Sequence, residues 1–185
     1  MEQALTFASI ILGVAVAFEL ENLNRLIRSD NVRWHWAQPV FATFVLLFIM
    51  FYWWTIARSP DEPISFGEFL PIMWSLVLLT LLAAVALPEN KDPEKPVDLA
   101  QYYQKNRRYM WGLIVGIGIP FESRWLYSMA QRSETVLEFL GYAFGDLISW
   151  ATIIAMMFVR RWWMIATGFV ILSLGPITWL SRTLG

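Results

Sequence analysis

The sequence contains no cysteine, one histidine and few charged residues. The absence of cysteine excludes disulfides, thiolate metal sites and a cysteine nucleophile. A single histidine, His35, excludes an imidazole pair for haem, and it has no partner at ligand spacing for a metal. Charged residues are 16% of the 185 residues and leave a formal net charge of -1, so we expect no nucleic-acid partner held by neutralised phosphates.

Apolar residues are in excess. They make up 57% of the chain, and tryptophan occurs 11 times. Soluble domains contain about 45–50% apolar and about 25% charged residues. A helix of roughly 20 apolar residues crosses about 30 Å of hydrocarbon. We therefore expect an all-α polytopic membrane protein, with residues 1–185 forming a single transmembrane helical domain in a lipid bilayer.

Six apolar segments are long enough to span, and polar breaks rich in proline and Asx residues separate most of them. The predicted spans are residues 4–27, 36–57, 66–87, 109–128, 135–159 and 162–181. The last break is only Arg160-Arg161, where two adjacent arginines are costly in hydrocarbon. Residues 88–108 are the one long loop, which is either solvated or carries a short interfacial helix capped by Asp98.

The distribution of positive charge predicts an orientation. Ten of the 14 Lys and Arg residues lie on the first, third and fifth loops. Since positively charged loops stay in the cytoplasm, both termini are predicted to be periplasmic. Most tryptophans lie near the proposed helix ends, where amphipathic rings prefer the headgroup level. No basic n-region precedes the first apolar run, so we expect the first span to be retained.

One internal similarity suggests a repeat. Residues 13–19 in the first span align without gaps on residues 116–122 in the fourth, which pairs Glu19 with Glu122. The two segments lie three spans apart, so a 3+3 architecture would place the halves in inverted orientation. The alternative is a chance likeness between two apolar segments.

Two carboxyl groups lie inside predicted spans, where ionisable residues are expensive and therefore candidates for function. Asp146 is near the centre of the fifth span, with Tyr142 and Trp150 one turn away on either side as hydrogen-bond donors. Glu19 is about two-thirds along the first span. One interpretation is a proton- or cation-binding site formed by Asp146, Glu19 and Tyr142. The other is a set of protonated acids that specify helix packing.

Three further charged residues lie near the short loop between the fourth and fifth spans. Arg124 is close in sequence to Glu122 and across the loop from Glu138. We expect a structural ion pair between Arg124 and one of these carboxylates, with a solute-binding site as the alternative.

Two GxxxG patterns predict close helix contacts, because glycine lets helix backbones approach. The first joins Gly112 and Gly116 in the fourth span, and the second joins Gly141 and Gly145 in the fifth. They predict a tight contact between these spans, within one chain or across a dimer.

Several interfacial motifs within residues 5–110 resemble those of small bacterial multi-span inner-membrane proteins without an assigned activity. These motifs are Arg33-Trp34-His35-Trp36, Phe51-Tyr52-Trp53-Trp54, Leu87-Pro88-Glu89 and residues 98–108. The resemblance implies a bacterial inner membrane and brings no activity with it.

The function expected from the sequence is translocation of an ion, a proton or a small solute through a helical bundle. The alternative is a non-catalytic accessory or sensory subunit held by helix packing, with a second copy or another membrane protein as partner. No enzyme motif is present, such as HExxH, GxSxG or a P-loop, and we expect neither enzymatic activity, cofactor nor metal.

Overall fold

A computed structural model describes residues 2–57, 65–89 and 96–180, with side chains for residues 5–57, 65–89 and 96–175. It confirms an all-helical architecture. The elements in chain order are α1 (Glu2–Ile27), β1 (Val32–Arg33), α2 (Ala37–Ala57), α3 (Phe66–Ala86), β2 (Val97–Asp98), α4 (Leu99–Arg132), α5 (Val136–Met156) and α6 (Trp162–Leu180). The two short strands pair in parallel, with Val32 opposite Val97.

Four helices in the described part of the chain are long and apolar enough to cross a membrane. They cover Leu5–Ile27, Ala37–Ala57, Phe66–Ala86 and Val136–Met156. A shorter apolar helix covers Trp162–Gly175. A membrane location follows from these helices, because each places a run of about 20 apolar residues in one element.

Polar caps set the start of two of these helices. Ser65 precedes α3, where its hydroxyl accepts from the Glu68 N–H at 3.3 Å and the Glu68 carboxylate accepts from the Ser65 N–H at 2.9 Å. Thr135 precedes α5 and accepts from the Glu138 N–H at 3.2 Å. Each cap satisfies an N–H that the helix itself leaves open.

The start of α4 differs from the prediction of a span beginning at residue 109. The helix begins at Leu99, and the Asp98 carboxylate accepts from the Gln101 N–H at 2.9 Å. No proline or glycine follows before Gly112, so nothing stops the helix from continuing. Residues 99–108 are therefore the first turns of α4 and not a separate interfacial helix. Here the Tyr102 hydroxyl donates to the Val85 carbonyl at 3.0 Å, and burial raises the pKa of Tyr102 to about 12.

The chain divides into two compact units, Met1–Asn106 and Arg107–Gly185. The first unit packs α1, α2 and α3 against one another. Side-chain contacts define how the antiparallel helices align. The Trp53 indole donates to the Ser9 hydroxyl at 3.0 Å, the Tyr52 hydroxyl donates to the Ile72 carbonyl at 3.2 Å, and the Gln38 amide donates to the Ala86 carbonyl.

The second unit contains α4 from Arg107 onward, together with α5 and α6. Helices α5 and α6 approach closely at Gly168, where an added Cβ would lie 2.5 Å from the Met156 sulfur. Helix α4 contacts α6 through the rings of Trp111 and Phe169, whose centroids are 5.7 Å apart. The buried side chains of this unit include Met110, Trp111, Ile114, Ile117, Ala143, Met156 and Ile165.

Candidate functional site

Glu19 lies on the buried face of α1. The face repeats at helical spacing through Ala8, Leu12, Ala15 and Glu19, and the Glu19 side chain is only 1% exposed. Both of its carboxyl oxygens are buried and have no hydrogen-bond partner among the described residues. Two residues further along, Glu21 instead forms an exposed salt bridge with Arg25, one turn away on the same helix.

The alignment of the first unit shows what surrounds this carboxyl group. The contacts between α1 and α2, and between α2 and α3, place Glu19 level with Thr43 and Leu81. The buried side chains at that level on the two neighbouring helices are Ala42, Val45, Leu79, Leu82 and Ala83. Glu19 thus sits in an apolar layer, where an ionised and unpaired carboxylate would cost several kcal/mol.

In the second unit, α4 and α5 meet at Gly118 and Trp150. A Cβ built on Gly118 would lie 2.6 Å from two atoms of the Trp150 ring, so only glycine fits at this position without movement of the indole. Gly112 faces the methyl group of Met157 at 3.7 Å in the same way. These two contacts define the antiparallel alignment of α4 and α5.

The same alignment brings two carboxyl groups to one level. It places Glu122, one turn beyond Gly118, opposite Asp146, one turn before Trp150. The Glu122 carboxyl group lies within interaction distance of the Trp150 indole and within electrostatic reach of Asp146. Both carboxyl side chains are partly buried. The indole N–H is a donor only, so a Glu122 carboxyl oxygen is the acceptor available to it.

The arrangement around Asp146 differs from the local one expected on its own helix. Trp150 lies beside Glu122 on α4, whereas Ser149, one turn after Asp146, donates to the Gly145 carbonyl at 2.9 Å. Tyr142 is 62% exposed, and no described contact joins it to Asp146. The polar neighbour of Asp146 is therefore a second acid on α4, and Tyr142 is not part of the arrangement.

The predicted ion pair of Arg124 is not formed by the described side chains. Glu122 lies beside Trp150 instead, and the Glu138 carboxylate accepts from the Glu134 N–H at 3.1 Å at the start of α5. Arg124 is exposed. For Glu122 the reason is helical geometry, because residues two apart on a helix do not face the same side.

The glycines that make close contacts are mostly not those of the GxxxG patterns. Gly141 and Gly145 have open space within 4 Å of an added Cβ, whereas Gly112 shows a van der Waals contact across helices. The tight approaches occur at Gly118 and Gly168. Spacing alone marks glycines on one face but does not say which face meets a neighbour.

No group of three or more His, Asp or Glu residues in the described ranges is arranged to hold a metal ion. His35 lies at the start of α2, where its Nδ1 accepts from the Ala37 N–H at 3.4 Å. The Glu122, Asp146 and Trp150 cluster thus brings one indole donor and two carboxyl groups close together in the second unit. No family model, curated protein or solved structure matches the chain.

Proposed function

We propose that the protein moves protons or a small cation across a membrane, and that the carboxyl groups of Glu122 and Asp146 are the exchange site. The observation that carries the proposal is the meeting of these two acids on facing helices within a predominantly apolar unit. Ionisable residues inside membrane spans mark ion pathways and proton relays.

The chemistry of the pair fits reversible cation binding. Two ionised carboxylates that face each other away from bulk water repel, and the repulsion is stronger than in water because the surroundings are less polar. A proton or a cation held between Glu122 and Asp146 removes that repulsion. The Trp150 indole beside Glu122 offers an N–H donor to the ionised carboxylate when the cation leaves.

The proposed architecture is six spans in two inverted halves. Its support is that each compact unit contains three helices and that Glu19 and Glu122 occupy matching positions in the aligned segments of α1 and α4. In this architecture α4 crosses through residues 109–128 and α6 provides the sixth span. The lysine and arginine distribution and the sequence resemblance support a bacterial inner membrane with both termini in the periplasm.

Within this function Glu19 is a neutral carboxylic acid that packs the first unit. Its support is burial to 1% exposure in an apolar layer without a hydrogen-bond partner among the described residues. Exchange with water requires a path to the carboxyl group, and the Glu19 side chain is packed against α2 and α3 with almost no exposed surface.

Flux through reconstituted vesicles tests the proposal. The full chain is placed in liposomes that contain a pH-sensitive dye, and a pH gradient or a cation gradient is imposed. Wild type should dissipate one of these gradients, and Asp146→Asn, which keeps the shape and removes the charge, should fall to the rate of protein-free vesicles. Glu138→Gln is the matched control, since Glu138 is exposed in the first turn of α5. Equal flux in wild type and Asp146→Asn would remove Asp146 from the mechanism.

A non-catalytic accessory or sensory subunit is the second candidate. The observation that favours it is the open face of α5 around Gly141 and Gly145, where a helix of another membrane protein could approach closely. Gly141→Leu combined with Gly145→Leu should then release a stoichiometric protein that copurifies with wild type in mild detergent. A wild-type chain that purifies alone and conducts would contradict this second function.

A further inference from the structure

A groove of about 370 Å³ lies between α5 and α6 on the surface of the second unit. Its walls are almost entirely apolar, and the residues that define its length and rim are Ile148, Ala155, Val159, Trp163, Thr167 and Ile171. The floor is the close approach of Gly168 to Met156. Since α5 is apolar and long enough to span, the groove faces hydrocarbon.

The length of the groove fits within one leaflet. The groove follows α5 from Ile148 to the end of the helix at Met156, a rise of about 12 Å at 1.5 Å per residue, and continues to Val159 in the turn. The helical part is a little under half of the roughly 30 Å hydrocarbon thickness. One end lies at the turn between α5 and α6, and the other lies near the middle of α5. An extended acyl chain from the leaflet on the side of this turn has the same orientation and reach.

The turn end of the groove is positively charged. Arg160 and Arg161 are exposed in the turn between Val159 and Trp162. The Arg108 guanidinium of α4 lies over the Phe158 ring, 5.5 Å from its centroid, so a third cation lies at the same end. Trp163 is 64% exposed beside the groove, as is typical of a ring at the headgroup level.

We propose that this groove binds one acyl chain of an anionic glycerophospholipid, whose phosphate is held by Arg108, Arg160 and Arg161. Charge complementarity selects the lipid, because basic clusters at the cytoplasmic ends of spans bind anionic headgroups. The apolar walls of the groove contact the acyl chain, and Trp163 lies at the level of the lipid's glycerol group. The groove is separate from Glu122 and Asp146, so the test of lipid binding does not depend on the test of ion flux.

Native mass spectrometry of the purified full chain measures this binding directly. The probes are dioleoyl phosphatidylglycerol and dioleoyl phosphatidylcholine, which share their acyl chains and differ in headgroup charge. Wild type should retain one phosphatidylglycerol with an affinity about 30-fold above that for phosphatidylcholine, which corresponds to about 1 kcal/mol for each of two basic residues. The double variant Arg160→Gln with Arg161→Gln should lose this preference.

Two controls separate the site from general lipid contact. Arg124→Gln with Arg132→Gln removes two exposed arginines from the far end of α4 and should leave the preference intact. Ala155→Phe fills the groove and should release both lipids, whereas Ala84→Phe adds the same ring at an exposed position of α3 and should release neither. Size-exclusion chromatography checks that each variant is folded.

Three results would overturn the proposal. The first is equal retention of the two lipids by wild type. The second is an unchanged preference for phosphatidylglycerol after loss of Arg160 and Arg161. The third is conversion of a wild-type dimer into a monomer by Ala155→Phe, which would show that a helix of a second copy occupies the groove.

Discussion

A glutamate occupies the matching position in the first helix of each unit, fully buried at Glu19 and partly buried at Glu122, and the neighbouring helices present different side chains to the two carboxyl groups. Around Glu19, α2 and α3 present aliphatic side chains, and both carboxyl oxygens are buried without a partner in the described structure. Around Glu122, α5 presents the Trp150 indole and Asp146. The chemistry of a buried acid therefore depends on what the facing helix brings to its level, and we propose that only the second unit exchanges a cation.

The largest effect is expected from a fixed positive charge in the first unit. Glu19→Lys should lower the free energy of unfolding by about 3 kcal/mol, because the ammonium group has no partner in the apolar layer. Glu19→Gln is the control, and it should stay within about 0.5 kcal/mol of wild type since a neutral amide replaces a neutral acid. Unfolding in detergent, followed by circular dichroism, measures both. A Glu19→Lys protein as stable as Glu19→Gln would show that water reaches the apolar layer around Glu19.

A smaller loss is expected where α4 and α5 touch. Gly118→Ala should cost about 1–3 kcal/mol, because the new methyl group overlaps the Trp150 ring at 2.6 Å. Gly141→Ala meets open space and should change the unfolding free energy by less than about 0.5 kcal/mol. The same denaturation experiment compares the two. Equal losses would contradict the contact that sets the level of Glu122 and Asp146.

The smallest effect reports on the carboxyl pair itself. Glu122→Lys should cost less than Glu19→Lys by about 1 kcal/mol, because Asp146 faces the new charge and can neutralise it. Introducing Asp146→Asn as well should remove this advantage. The coupling energy of the double-mutant cycle is the measurement. A coupling energy of zero would mean that the two side chains do not interact.

Most helix boundaries could be predicted from the sequence, because prolines, Asx residues and caps punctuate it. The predicted spans 36–57, 66–87 and 162–181 end within one residue of α2, α3 and α6. The predicted fourth span begins ten residues after the start of α4, since residues 99–108 are too polar to count as a span although nothing in them breaks a helix. Hydrophobicity finds the crossing part of a helix and not its full length.

The candidate site was only half predictable. Asp146 stands out by its depth, but the sequence suggested Glu122 only as one of two possible ion-pair partners of Arg124, the other being Glu138. The short connection between α4 and α5 contained the information needed to pair Glu122 with Asp146. Glu122 and Asp146 are each 12 residues from Glu134, and residues equidistant from a tight turn lie level in an antiparallel pair. The Gly118 contact could not be foreseen, since it depends on the rotation of α4 about its own axis.

Side-by-side flux measurements on Glu122→Gln and Glu19→Gln test the central claim most directly. Both variants remove one carboxyl group and keep its shape, and both positions match in the internal alignment. In vesicles with equal amounts of folded protein, Glu122→Gln should reduce gradient-driven flux to that of protein-free vesicles, whereas Glu19→Gln should conduct like wild type. Loss of flux in Glu19→Gln with retention in Glu122→Gln would contradict the account.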